Sequence, residues 1–499
     1  MIFSSSRRRP LSWRIVVIST LLMLWGLFVY FGPPDADANV EGGCQILSLG
    51  SSDDIILQGT LLTTDGPVSD GCIFIKFGSI VRIGHTPADC RLNKDATTIV
   101  CKDSVISPGF INTHEHIELS TVNPLHSTGE LYKHRHDWRV GLRGSTAQHV
   151  AVNGTMEDAI KWGELRHIFS GTTSIVGGHM VQGLARNLDF VEGLGDGLGT
   201  TADKWAVFPL DDVEGIIRAG DCDYGPKAID HQAAAKFHRY IAHVAEGVDE
   251  AARNEFQCLS SETFDKVPLP GGGGLSADII SPNFVLVHAL GLSEADFDLV
   301  AARKAMVVWS PRSNIFLYGK TFDVTYLLRA GITVALGTDW LPSGSATMER
   351  EAACAFYATK SSFGQVLGTK TLWEMMTINA AKVAGFDHVL GSLEEGKLAD
   401  IAVFSGKSLD DPYAAAVYGQ GANLELVMRG GKILVAGSGL KKMANSHCED
   451  VMFGAMRKII CVEEELGTSF SSFETARGGV YPAILPSIPR DEPSCEPSR

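Results

Sequence analysis

Two histidines, His114 and His116, stand in the run Ser107-Pro108-Gly109-Phe110-Ile111-Asn112-Thr113-His114-Glu115-His116. Alternate residues of a strand point to one face, so a His-x-His that ends an apolar run aims both imidazoles at one point. Imidazole is a common ligand of zinc, iron and nickel, and two converging rings are half of a metal site. A bare His-x-His is better read as two histidines on an exposed strand end; three signatures farther along change that. His243-Val244-Ala245-Glu246 ends one apolar run, His288 ends another, and Asp339 stands in Gly337-Thr338-Asp339. Each alone has a plain reading, a hydrogen-bonded core histidine or a turn. All of them in this order, spaced by whole strand–helix units, point to a metal site.

These residues need a frame to hold them. Apolar β runs fall at Thr172–Val176, Trp205–Pro209, Tyr240–His243, Phe284–His288, Ala305–Trp309 and Thr333–Gly337, and helical stretches such as Ser293–Arg303 separate them. Such alternation predicts a parallel β/α barrel with its active site at the carboxyl ends of the strands. With the strand before His114 the runs number seven, one short of an eight-stranded barrel. A doubly wound open sheet is the alternative, but no Gly-x-Gly-x-x-Gly follows a strand. Both flanks of this region are β-rich: residues 45–105 hold short strands, and matching runs return at Asp400–Phe404, Leu426–Gly431 and Lys432–Ala436.

The ordered set over about residues 50–440 resembles the amidohydrolase superfamily. Trp309-Ser310-Pro311-Arg312-Ser313-Asn314, and the stretch from Thr377-Ile378-Asn379 through Lys397-Leu398-Ala399-Asp400, resemble further family segments. The resemblance implies an α/β fold: a TIM-like (β/α)8 barrel with a small β-sandwich formed by the two chain ends. It implies that His114, His116, His243 and Asp339 bind one divalent metal, zinc before iron, with a position open for water. Glu246 would take the water's proton and pass it to the leaving group, and His288 would polarise the substrate or orient the attacking oxygen. Asp339 would combine ligation with proton handling. Binuclear members often carry a carboxylated lysine at the end of the fourth strand, but here Lys204 lies at the wrong end of its run. The His-x-x-Glu motif instead is similar to the mononuclear branch of guanine, cytosine and adenosylhomocysteine deaminases and triazine hydrolases.

His179, Arg312 and Asn314 are the candidate substrate contacts. His134-Arg135-His136-Asp137-Trp138 is a lid or a solvated loop, and Glu118 is read as structural. The function expected is hydrolysis of a non-peptide carbon–nitrogen bond in a small molecule, by deamination or cyclic-amide opening. A membrane-tethered, non-catalytic barrel acting as a binding or scaffold protein is the rival.

The 499 residues carry a net charge of −15, which argues against nucleic acid as a partner. Arg7-Arg8-Arg9 precede a stretch without charge from Ile15 to Phe31, long enough to cross a bilayer. It reads as a signal anchor or, with Ala36-Asp37-Ala38 after it, as a cleaved signal peptide. Either puts the globular part outside the cytosol, membrane-anchored or secreted. Ten cysteines are compatible with disulfides there, with Cys44, Cys72, Cys90 and Cys101 close in sequence. Asn153-Gly154-Thr155 is a glycosylation acceptor sequence. The expected organisation is a signal segment at 1–40, sandwich strands at 41–105, the barrel at 106–394, the second part of the sandwich at 395–445, and a tail at 446–499 whose proline-rich end is disordered. The sequence leaves open whether the chain forms a homo-oligomer.

Overall fold

The computed structural model describes residues 43–194, 197–199, 201–265, 275–406, 410–489 and 491–496. Eight parallel strands carry the central part of the chain: β1 (Phe110–Asn112), β2 (Thr172–Ile175), β3 (Arg186–Asn187), β4 (Lys204–Ala206), β5 (Tyr240–Val244), β6 (Phe284–His288), β7 (Met306–Trp309) and β8 (Val334–Leu336). β1 to β3 form one hydrogen-bonded run and β4 to β8 another, each in sequence order. At one seam Glu115 and Asp339 form a parallel bridge, and His114 accepts from Asp339 N at 2.8 Å. At the other, Leu188 O accepts from Asp203 N at 3.0 Å. The eight strands thus form a closed TIM-like barrel.

β5 to β8 are buried throughout, as expected of parallel strands covered by helices on one face and packed on the other. The helix Glu294–Ala302 begins on Ser293, whose side chain accepts from Asp296 N, and turns Phe297 and Val300 into the core. The strand that no apolar run supplies is β3, which is only two polar residues. Both of its polar side chains donate to buried carboxylates. Fully buried Arg186 donates from Nε and Nη2 to Asp400 at 2.6 and 3.0 Å, and Asn187 donates to Glu164 Oε1 at 2.9 Å.

The two chain ends build one continuous ten-stranded sheet beside the barrel. Its pivot is the strand Thr97–Pro108. The first half pairs with Gly43–Ser48 and the second half with Ile401–Ser405, changing partner at Asp103, which has φ of 52°. A left-handed residue at a change of partner is the geometry of a bulge, and it bends the sheet around a core that includes Leu57, Ile73, Ile106, Val403 and Leu426.

The expectation of a tail disordered at its end is corrected for the described residues, which reach 496. Glu449–Phe453 and Met456–Ile460 extend the sheet, and the helix Phe470–Ala476 stacks Phe470 on Trp162. Carbonyls of Tyr481 and Pro482 accept from Trp162 and Arg166, and Cys495 is bonded to Cys354 on a barrel helix. All ten cysteines are paired: Cys44–Cys101, Cys72–Cys90, Cys222–Cys258, Cys354–Cys495 and Cys448–Cys461. The apolar stretch 15–31 and the Ala36-Asp37-Ala38 triplet lie outside the described residues. Among the described residues, no helix is long and apolar enough to cross a membrane.

Candidate metal centre

The strand ends bring His114, His116, His243, His288 and Asp339 together. His114 ring centroids lie 4.9 Å from those of His243 and His288 and 5.5 Å from that of His116. Asp339 Oδ1 is 3.2 Å from His114 Nε2 and 3.6 Å from His116 Nε2. Two donor sets, His114–His243–His288 and His114–His116–Asp339, each have ligand atoms within 4.8 Å of one another. His288 therefore enters the same donor cluster as the expected ligands.

The donor chemistry fits a divalent metal. Both ring nitrogens of His243 are buried without a hydrogen-bond partner, and His114 Nε2 faces Asp339 without hydrogen-bond alignment. Orphaned buried polar atoms are rare and need a reason, and a cation between these rings supplies one. The other ring nitrogens are held: His114 Nδ1 lies 2.8 Å from Ser310 Oγ, and His288 Nδ1 lies 3.0 Å from Asn314 Oδ1. Such outer partners fix ring orientation and leave Nε2 facing inward. Burial, reinforced by the neighbouring imidazoles, pushes the His243 ring well below its usual range; burial likewise lowers His114, against the pull of Asp339. Neutral imidazole is the ligand form. Burial alone would raise the Asp339 carboxyl, but His114, His288 and His116 together hold it far below the usual carboxylate range. Ala245, His288, Ala289 and Asp339 all have positive φ (55°, 68°, 51° and 60°). Such strain costs about 1–3 kcal/mol per residue and clusters at functional sites.

Glu246 stands beside this cluster, buried, with Oε2 3.8 Å from His288 Nε2 and Oε1 accepting from the Tyr318 hydroxyl at 2.8 Å. Beneath it, Asn112, Glu115, His167 and Thr338 form a buried hydrogen-bonded floor that ties β1 to the end of β8. Trp205 of β4 packs on the rings of His114, His116 and His243 at 5.4, 5.8 and 5.0 Å. Lys204 beside it is exposed.

The candidate substrate contacts fare differently. Arg312 is corrected: its guanidinium donates to Ser345 Oγ at 2.5 Å, to Arg350 O at 3.0 Å and to Pro493 O, and Glu492 lies 3.2 Å away. Buried among these partners, it anchors the C-terminal segment. Asn314 acts one step back, as the partner of His288. His179 follows β2 as expected, half exposed, with its Nε2 3.9 Å from Glu118 Oε1. The segment His134–Trp138 is packed rather than solvated, with Arg135 fully buried between Asp212 and Glu255. Sequence reading missed Trp205 as a wall of the site, Ser310 and Tyr318. Ser310 lies within the Trp309–Asn314 stretch and Tyr318 four residues beyond it, but nothing in the sequence says that their hydroxyls reach His114 and Glu246.

The helix that receives Arg312 carries a pH-sensitive carboxyl. Burial, only partly opposed by Thr347 and Arg350, pushes Glu349 up to about 8. In an unfolded chain the group titrates at about 4.3. The folded state therefore keeps this proton longer, and the stability it contributes is complete below about pH 4 and is lost as pH rises through about 8. Urea unfolding at pH 6 and pH 9 checks this. Glu349 should cost the wild type a few kcal/mol, on the order of 1.4 per pH unit crossed, and Glu349→Gln should remove that share, leaving the share of Glu351, which burial also pushes up to about 8.

Residues 222–434 match the Amidohydrolase family. An imidazolonepropionase from Geobacillus thermodenitrificans is 26% identical over 410 residues, covering 74% of this chain and 91% of the relative. A 5-methylthioadenosine/S-adenosylhomocysteine deaminase from Halothermothrix orenii is 32% identical over 167 residues, 33% of this chain and 36% of the relative. The zinc complex of atrazine chlorohydrolase from Arthrobacter aurescens shares the fold, with a TM-score of 0.57 at 20% identity over 77% of this chain and 95% of that one. Residues 222–434 carry an amidohydrolase-family domain, and the chain is an enzyme.

Proposed function

We propose that this enzyme hydrolyses a carbon–nitrogen bond in a small nitrogen-bearing ring compound, by deamination or by opening a cyclic amide. The observation that carries the reading is the meeting of unpartnered, buried imidazole nitrogens with Asp339, while Glu246 stands three residues beyond His243. Relatives named imidazolonepropionase and 5-methylthioadenosine/S-adenosylhomocysteine deaminase support a ring substrate.

His114, His116, His243 and Asp339 hold one divalent metal, zinc before iron. The fourth strand turns the indole of Trp205 onto these rings, and its lysine, Lys204, is exposed, which supports one metal rather than a lysine-bridged pair. When bound, such a metal lowers the pKa of water toward neutrality and polarises an sp² centre. Glu246 accepts the proton released by the attacking water and returns it to the leaving nitrogen. His288, held by Asn314, directs Nε2 between the Glu246 and Asp339 carboxylates, 3.8 Å from each, where it orients the reacting group. Asp339, kept ionised by the surrounding imidazoles, balances the cation's charge. A non-catalytic scaffold would need a lost donor or a lost Glu246, and the pocket keeps them all. Pairing of all ten cysteines supports a non-cytosolic location, tethered if the N-terminal stretch is retained and secreted if it is cleaved.

The test is elemental analysis of the full chain beside His243→Ala, with ammonia release and ring opening followed over purines, pyrimidines, triazines and cyclic amides. About one metal per chain, lost in His243→Ala together with turnover, is the expected result. Two metals per chain would overturn the mononuclear reading, and none would overturn the mechanism.

A further inference from the structure

Tyr318 ends the helix Pro311–Tyr318 that follows β7, and Trp138 lies on the short helix Arg135–Val140 beyond β1. Both belong to one apolar cluster with Tyr132, Leu290, Phe316 and Leu317. Backbone bonds clamp the two segments around Glu246: Tyr132 N donates to Leu317 O at 2.9 Å, and Arg135 N donates to Glu246 O at 3.0 Å. Inside this clamp the Tyr318 hydroxyl lies 2.8 Å from Glu246 Oε1, and the indole nitrogen of Trp138 lies 2.9 Å from the same hydroxyl.

The direction of this chain of bonds is forced. An indole N–H can only donate, so Tyr318 Oη accepts from Trp138 and its single proton goes to the carboxylate. The bond occupies Oε1 and leaves Oε2 as the oxygen turned toward His288. The same aromatic unit reaches the other carboxylate of the pocket. Trp138 packs on Trp340 with centroids 5.0 Å apart, and Trp340 N donates to Asp339 Oδ1 at 2.8 Å.

We propose that Tyr318, with its hydroxyl turned by Trp138, is the positioning residue of proton transfer, holding Glu246 by Oε1 so that Oε2 faces the reacting atoms. The proposal rests on the role given to Glu246 above. It gives the packed segment after β1 a task at the site, since that segment carries the donor that sets the Tyr318 proton. It also explains why a tyrosine is buried here with its hydroxyl between a donor and an acceptor, an arrangement that phenylalanine would match in shape but not in bonding.

The experiment compares the full-length wild type with Tyr318→Phe, Trp138→Phe, the double variant and Glu246→Gln. Metal content, kcat and KM are read with the compound turned over fastest in the panel, and the Tyr318→Phe crystal structure is read without any substrate. Metal content should not change. In Tyr318→Phe, kcat should fall about 30-fold with KM within about threefold, because a misplaced proton acceptor slows the reaction without weakening binding. Trp138→Phe should cost about fivefold, and the double variant no more than Tyr318→Phe alone, since the two act as one unit. Glu246 should occupy more than one rotamer in Tyr318→Phe. Wild-type kcat in Tyr318→Phe, losses that multiply in the double variant, or an unchanged single Glu246 rotamer would each overturn the proposal. Glu246→Gln separates the two readings. If it turns over like the wild type, the role of Glu246 falls and the relay with it; if it is dead while Tyr318→Phe is unimpaired, only the relay falls. If the wild type turns over no compound in the panel, the rotamer alone decides.

Discussion

Glu246→Gln should reduce turnover by about 10²–10⁴-fold while leaving the fold and the bound metal intact. Glutamine keeps the length of the side chain, and its amide oxygen can still accept from Tyr318 at the position of Oε1. What it loses is the ability to take up a proton, which is the one property that the proposed reaction asks of this group. Glu246 lies outside the two donor sets that converge on His114, so metal content should match the wild type. Metal analysis, a thermal melt and a turnover assay on the same preparation check all three parts. A variant that keeps more than about a tenth of wild-type turnover would remove Glu246 from the mechanism. One that loses metal as well would make Glu246 a part of the metal cradle. The contrast with His243→Ala, expected to lose both metal and activity, separates ligation from proton transfer.

The parts of this enzyme that were legible in the sequence are those where one residue type has one use. β5, β6 and β7 are buried on both faces, so each reads as an apolar run ending in or near a chemically active residue. β3 was not legible because its two residues are polar, and their partners Glu164 and Asp400 lie 23 and 214 residues away. The donor histidines and Asp339 could be found because strand ends of a barrel are where such side chains converge. Their orienting partners could not: Ser310 meets His114 across 196 residues, and a serine beside a proline carries no signal of its own. Arg312 was misread for a similar reason. Its place after β7 suggested a substrate contact, but Pro493, arriving from 181 residues away, takes one of its donors. The tail itself misled by composition. Proline lacks an N–H and so looks unstructured, yet its carbonyl still accepts, and Pro482 and Pro493 are both used that way.

Asp400→Asn should destabilise the protein by about 3–5 kcal/mol, the largest stability effect expected of a single exchange here. Arg186 is fully buried on β3, and the Asp400 carboxylate accepts from its Nε and Nη2 while also accepting from Gly430 N at 2.7 Å. Asparagine fills the same volume but removes the negative charge and offers one acceptor oxygen where two are used. The guanidinium then keeps its charge in a buried place with the Asp400 charge gone, and a single partner removed from a buried pair costs far more than the pair contributes. The site of the loss matters too. Asp400 opens the strand Ile401–Ser405, which returns the chain from the barrel to the ten-stranded sheet, so this ion pair joins the two layers through the shortest barrel strand. Urea unfolding of Asp400→Asn, Arg186→Met and the double variant Arg186→Met/Asp400→Leu measures it. The first should be the least stable, and the double variant should recover much of the loss because no unpaired buried charge remains. A loss below about 1 kcal/mol in Asp400→Asn would mean that water or another group reaches Arg186, and that the pair does not hold barrel and sheet together.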